Sequence, residues 1–150
     1  MNSIKVKLDK GAYMPTRAHD TDAGLDIYTP KELYIKPTTR DLFGEPKISS
    51  CTVDTGVHIA IPKGYVGFIK TKSGFIVNKD LLCGEGVIDA GYTGSLRVKL
   101  YNLSDKYYAF SPGNKIAQLV ILPIITPTLE QVDSLDETER GDNGFGSTGK

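Results

Sequence analysis

Asp89 and Tyr92 stand three residues apart in Gly86-Val87-Ile88-Asp89-Ala90-Gly91-Tyr92-Thr93-Gly94. A carboxylate is ionised at neutral pH and can take a proton from a bound water, which is general-base chemistry. A turn alone explains an aspartate as a cap, and a strand alone explains a half-buried tyrosine. Neither requires the two together between glycines, so the pair points to a second use. Other segments carry polar groups suited to an anion. Lys72-Ser73-Gly74 offers a charge, a hydroxyl and a residue that allows close backbone approach. Lys115 and Gln118 lie three apart in Gly113-Asn114-Lys115-Ile116-Ala117-Gln118-Leu119, where they also fit the polar face of a strand. Asp26 closes Ala23-Gly24-Leu25-Asp26 and reads equally as a strand-end residue. The Gly-rich end offers Arg140, Ser147 and Thr148 with backbone N–H groups that can wrap a polyphosphate.

These groups need rigid elements to hold them. Helical periodicity is almost absent from the chain. Short alternating stretches recur instead, at Ile4–Leu8, Leu33–Ile35, Val57–Ile61, Tyr65–Ile69, Leu96–Tyr101, Tyr107–Phe110 and Ile116–Leu122. Proline and glycine punctuate them, as at Pro62-Lys63-Gly64 and Pro112-Gly113-Asn114. The pattern predicts an all-β sandwich or barrel. Gly86 to Gly94 reads as a tight hairpin continuing into Ser95–Leu100, with Leu96, Val98 and Leu100 on one face. One or two helical turns are expected between Phe75 and Leu82. Residues 1–127 read as the β domain. Residues 128–150 turn acidic, then glycine-rich, and read as a flexible arm of that same domain. A pure linker needs neither Arg140 nor Phe145.

Composition narrows the class. The chain has 150 residues, enough for one domain with a real core. Eighteen basic residues balance eighteen acidic ones, which disfavours a nucleic-acid partner. Two cysteines without a CxxC pairing fit a reducing compartment. No run is long enough to span a bilayer, so a soluble, cytoplasmic chain without a membrane partner is expected.

Several familiar patterns fail on context. Gly144 to Lys150 matches part of a P-loop and the spacing of a dinucleotide fingerprint, yet no helix follows. Arg140-Gly141-Asp142 spells an adhesion tripeptide in a chain that reads as intracellular. His19 and His58 are isolated in sequence, which fits a surface and a strand histidine. Cys83 has no histidine nearby in sequence and reads as a packing residue or pocket wall.

In order and spacing, the five segments resemble the five motifs of the homotrimeric dUTP pyrophosphatases. The resemblance runs from about Ala23 to Gly149. It implies a jelly-roll-like β fold, a homotrimer with shared active sites, and Mg²⁺-dependent hydrolysis of dUTP to dUMP and pyrophosphate. That reaction keeps uracil out of DNA and supplies dUMP for thymidylate. It implies that Asp89 activates the water attacking the α-phosphorus and accepts a hydrogen bond from the 3′-hydroxyl, while Tyr92 packs on the deoxyribose and excludes a 2′-hydroxyl. The backbone around Cys83, Gly86, Val87 and Ile88 reads uracil, with Arg97 on the pocket rim. Lys72, Ser73 and Gly74 hold the phosphates, Gln118 contacts the phosphate chain or its water, and Asp26 supports Mg²⁺ through a water. Phe145 stacks on the base, while Arg140, Gly146, Ser147 and Thr148 close over a neighbouring subunit's site. The chain departs from the family at Lys72, where arginine is usual; lysine keeps the charge and loses the bidentate fork. Two rivals share the scaffold. A dCTP deaminase needs a further general base, for which Glu85 is the candidate beside Gly86. A regulatory protein of this fold needs a protein partner. A phage, prophage or bacterial source fits the compact form.

Overall fold

The computed structural model describes residues 3–143. Twelve strands and one helix follow in the order β1 (Val6–Leu8), β2 (Gly24–Tyr28), β3 (Leu33–Ile35), β4 (Thr39–Arg40), β5 (Pro46–Lys47), β6 (Ser49–Ile59), β7 (Tyr65–Lys70), α1 (Ser73–Lys79), β8 (Leu81–Gly84), β9 (Gly86–Ile88), β10 (Ser95–Asn102), β11 (Tyr108–Phe110) and β12 (Lys115–Pro123). Two four-stranded sheets dominate, ordered β1-β6-β10-β8 and β2-β12-β7-β9. Every strand pairing among the described residues is antiparallel, and β11-β3 and β4-β5 form two further two-stranded ribbons. The fold is all-β, as the punctuated alternation predicts.

Alternation explains the core. Along β6, Val53, Thr55, Val57 and Ile59 turn inward, and along β10 Leu96, Val98 and Leu100 do the same. Ile27 of β2, Ile69 of β7 and Ile116, Ala117 and Leu119 of β12 meet them from the other sheet in one cluster. Each aliphatic side chain buried this way contributes about 1.5–3 kcal/mol against exposure. Buried hydroxyls find partners: Thr55 donates to the Leu96 carbonyl at 2.8 Å.

Two local expectations change. The helix begins at Ser73 and stops at Lys79, because Asp80 takes a left-handed conformation (φ 50°) and Leu81 enters β8. Its one buried side chain, Phe75, packs on Phe110 with ring centroids 5.4 Å apart. The segment Gly86–Gly94 is also not a hairpin leading into Ser95. β9 pairs with β7, whereas β10 pairs with β6 and β8 in the opposite sheet. The turn after Ile88 therefore crosses from one sheet to the other. Short-range turn chemistry looks the same in both cases; which strand lies alongside is decided by burial across the sandwich.

Candidate active site

The sheet-crossing turn forms the first part of the site. Gly91 takes a φ of 94°, a conformation that favours glycine, and the Tyr92 N–H donates to the Asp89 carbonyl at 3.1 Å. This tight turn presents the Asp89 side chain to solvent. The Tyr92 hydroxyl donates back to the Ser95 carbonyl at 3.1 Å, so its ring lies across the turn. A recess of about 280 Å³ is lined by Gly86, Val87, Ile88, Asp89, Tyr92, Ser95, Leu96 and Arg97. Of the candidates, six come together here: Gly86, Val87, Ile88, Asp89, Tyr92 and Arg97. Among the described residues β9 is an edge strand paired only with β7, so one side of its backbone faces away from the ladder. Arg97 reaches Asp54 at 3.7 Å, and Asp54 also accepts a hydrogen bond from the Ser95 hydroxyl.

The second part is a charge cluster at the other end of the same sheet. Asp26, Gln118 and Lys70 stand side by side on β2, β12 and β7. The Asp26 carboxylate is buried, and both its oxygens are engaged. Lys115 donates to Oδ2 at 2.7 Å, and Lys72 donates to Oδ1. Burial alone pushes this carboxyl up; hydrogen bonds from Lys115 and Lys72, with their charges, outweigh it and bring it below its ordinary value. The bond to Asp26 raises Lys115 in turn. Two cations on one carboxylate leave the cluster with a positive excess. Gln118 donates to the Thr71 carbonyl at 3.1 Å, beside the loop carrying Lys72, Ser73 and Gly74. Ser73 and Gly74 are exposed. Gly24 lies so close to Gln118 that a side chain there would collide with its amide.

The two parts do not meet within the chain. Ile88 pairs with Gly67, whereas Lys70, beside Gln118, lies three residues further along β7. Strand rise and spacing then put Asp89 on the order of 20 Å from Asp26.

Other candidates fall elsewhere. Cys83 is buried in the core, with its N–H donating to Thr71 Oγ1 at 2.9 Å, so it stands apart from the Asp89 recess. Its thiol is pushed up to about 11, by burial first and by Glu85 second. Glu85 is held by Lys70 at 2.7 Å. Arg140 is exposed and donates within its own turn to the Asn143 carbonyl at 3.0 Å. Phe145, Gly146, Ser147 and Thr148 lie outside the described residues. Among the described residues no group of three acidic, histidine or cysteine side chains gathers as a metal cage, and no helix is long and apolar enough to cross a membrane. His58 lies on a strand, as its pattern predicts, but it also bridges Asp9 and the Thr93 carbonyl. Nothing in the local pattern marks it, because both partners are distant in sequence.

Comparison with known proteins identifies the family. The dUTPase family model matches residues 10–149. The chain is 40% identical over 148 residues to the deoxyuridine 5'-triphosphate nucleotidohydrolase of Corynebacterium glutamicum, covering 97% of this chain and 93% of that one. It is 37% identical over 151 residues to the enzyme of the same name from Clostridium novyi, covering 99% of each. Among solved structures, the dUTPase of Staphylococcus bacteriophage 80alpha with dUPNHPP aligns over 100% of both chains at 34% identity and a TM-score of 0.87. A mutant dUTPase from phage phi11 of S. aureus aligns over 91% of this chain and 100% of its own, at 32% identity and a TM-score of 0.76. That structure is described as revealing how a structural Mg(II) ion is coordinated.

Proposed function

The chain belongs to the dUTPase family, and from that premise we propose how its residues divide the work. The protein is a dUTP diphosphatase: it hydrolyses dUTP to dUMP and pyrophosphate. The observation that carries the division is the split between a carboxylate-and-aromatic recess and a cationic cluster. The recess takes the nucleoside and the α-phosphorus. The cluster takes the phosphates.

In the recess, Asp89 accepts a proton from the attacking water and a hydrogen bond from the sugar 3′-hydroxyl. Tyr92, braced on Ser95, closes the space that a 2′-hydroxyl needs. The free edge of β9 offers main-chain donors and acceptors at fixed positions to the uracil edge. A mismatched base leaves a buried polar group unsatisfied, which costs about 1–3 kcal/mol. Arg97 stays on the rim, turned toward Asp54. Cys83, on β8 apart from the recess, takes no part in reading the base, since its own N–H is already taken by Thr71.

In the cluster, Lys72, Ser73 and Gly74 receive the phosphates, and Gln118 holds the phosphate chain or its water. Phosphate oxygens compete with Asp26 for Lys72, so substrate binding exchanges one anion for another around a retained ammonium. Both Asp26 oxygens are held by lysines, so Mg²⁺ would arrive with the triphosphate, keeping its own waters, and Asp26 would support it through one of them. Bound there, Mg²⁺ neutralises phosphate charge.

A separation of about 20 Å exceeds what one triphosphate bridges. We therefore assign the recess of one copy and the cluster of another to the same substrate, in a homotrimer. Exposed Ile125, Leu129, Val132 and Leu135, strung along the segment after β12, support burial against another copy. Arg140 and the arm through Phe145, Gly146, Ser147 and Thr148 close the shared site, stacking Phe145 on the base. A cytoplasmic location fits two unpaired cysteines.

The test is pyrophosphate release with Mg²⁺ from dUTP, UTP, dTTP and dCTP in parallel. Release from dUTP alone supports the reading. Equal release from UTP or dTTP, or ammonia from dCTP, overturns it.

A further inference from the structure

His58 sits on β6 between two oxygen acceptors. Its Nδ1 lies 2.7 Å from the Thr93 carbonyl oxygen, and its Nε2 lies 3.1 Å from Asp9 Oδ2. A carbonyl oxygen only accepts, and so does an ionised carboxylate. Both bonds therefore form only when both ring nitrogens carry a proton. Either neutral tautomer turns a nitrogen lone pair onto an oxygen and loses one bond.

The position of Thr93 gives this consequence. Thr93 follows Tyr92 directly, and the turn behind it closes on the Asp89 carbonyl. Ser95, which accepts from the Tyr92 hydroxyl, stands opposite His58 in the β10–β6 register. His58 thus ties the exit of the turn to β6, and Asp9 ties His58 to the end of β1. The charges around the ring are mixed. Lys7 stands opposite His58 on β1, and Lys5 lines a separate pocket together with His58 and Thr93. Asp54 lies on β6 itself, with Arg97 of β10 against it. The Thr93 carbonyl first, and Asp9 second, hold the imidazole above its ordinary value against the opposing pull of burial and Lys7.

We propose that His58, as an imidazolium, is a positioning residue that clamps the Asp89–Thr93 turn, so that the clamp releases as pH rises. The sign follows from linkage. A group held above its ordinary value contributes fully below that value and stops contributing as pH rises through the folded one. The kinetic consequence rests on the hydrolase reading above; the state of the ring does not.

The experiment is an NMR titration of the ring and of the Tyr92 and Thr93 amides, from pH 5.5 to 9, in wild type, Asp9→Asn and His58→Gln. The chain has two histidines, so His58→Gln assigns the signal. kcat/KM for dUTP is measured over the same range. The expected result is a doubly protonated His58 at the acid end, with both amides moving on its transition. The transition shifts to lower pH in Asp9→Asn. In wild type kcat/KM falls roughly two- to tenfold across it, the size of one hydrogen bond, and His58→Gln lacks that step. A ring that is neutral at pH 5.5, amides that ignore its titration, or superimposable profiles for wild type and His58→Gln overturn the clamp. Absence of hydrolysis in wild type sinks the hydrolase reading alone, and the amide shifts still decide the clamp.

Discussion

Asp26→Asn tests whether the buried charge cluster stabilises the fold as its geometry implies. The Asp26 side chain is only 10% exposed, while Lys72 and Lys115 reach it from positions 25% and 44% exposed. A hydrogen bond to a charged group contributes about 1.5–3 kcal/mol when well buried. Both ammonium groups keep access to water, which screens most of that. The amide keeps the shape and loses the charge, so the expected loss is about 1–2 kcal/mol in total. For a chain of this size that is a fall of about 3–6 °C in Tm. The loss must also depend on pH. The Asp26 carboxyl is held below its ordinary value, so its contribution is complete above the unfolded value of about 3.9 and disappears as pH falls through the folded one. Urea unfolding of wild type and Asp26→Asn from pH 7 down to about 2.5 measures both effects. Protein concentration is held fixed, because any association would add to apparent stability. The two proteins should converge at the acid end. A gap that stays constant over the whole range, or an asparagine variant as stable as wild type at pH 7, refutes the reasoning.

Other outcomes follow from single sites. Gly67→Ala puts a methyl group 3.1 Å from Leu119, 3.2 Å from Ile88 and 3.3 Å from Ile61; overpacking of this kind costs about 1–3 kcal/mol, and an unchanged urea midpoint contradicts it. Burial pushes up both thiols, that of Cys83 to about 11. Neither should react promptly with a disulfide reagent at pH 8 until urea is added, and a fast thiol in the native protein contradicts that. Tyr92→Ala should narrow the preference for dUTP over UTP by at least tenfold in kcat/KM, and an unchanged ratio removes Tyr92 from sugar selection.

The sheet interior was legible because alternation reports burial directly. Leu96, Val98 and Leu100 are all fully buried, as their spacing predicts. β2 was not legible: its Gly24 and Asp26 lower strand propensity, yet pairing with β12 carries the strand. Nor was the path of the chain after Ile88, since glycine-rich turn chemistry does not say which sheet the next strand joins. At the site, the residue types at Asp89, Tyr92, Lys72 and Gln118 were visible in the sequence. Their separation into two groups was not, because it depends on register along β7. The contact of Lys72 with Asp26 spans 46 positions, and that of His58 with Thr93 spans 35. Such pairings arise only when strands are brought together.

The most direct test of the account is dUTP hydrolysis in ¹⁸O-water by wild type and Asp89→Asn. If water activated by Asp89 attacks the α-phosphorus, wild type places the label in dUMP and leaves pyrophosphate unlabelled. Asp89→Asn then retains its fold and loses about 10²–10⁴-fold in kcat, the usual share of a general base. Label in pyrophosphate, or an asparagine variant as fast as wild type, contradicts it.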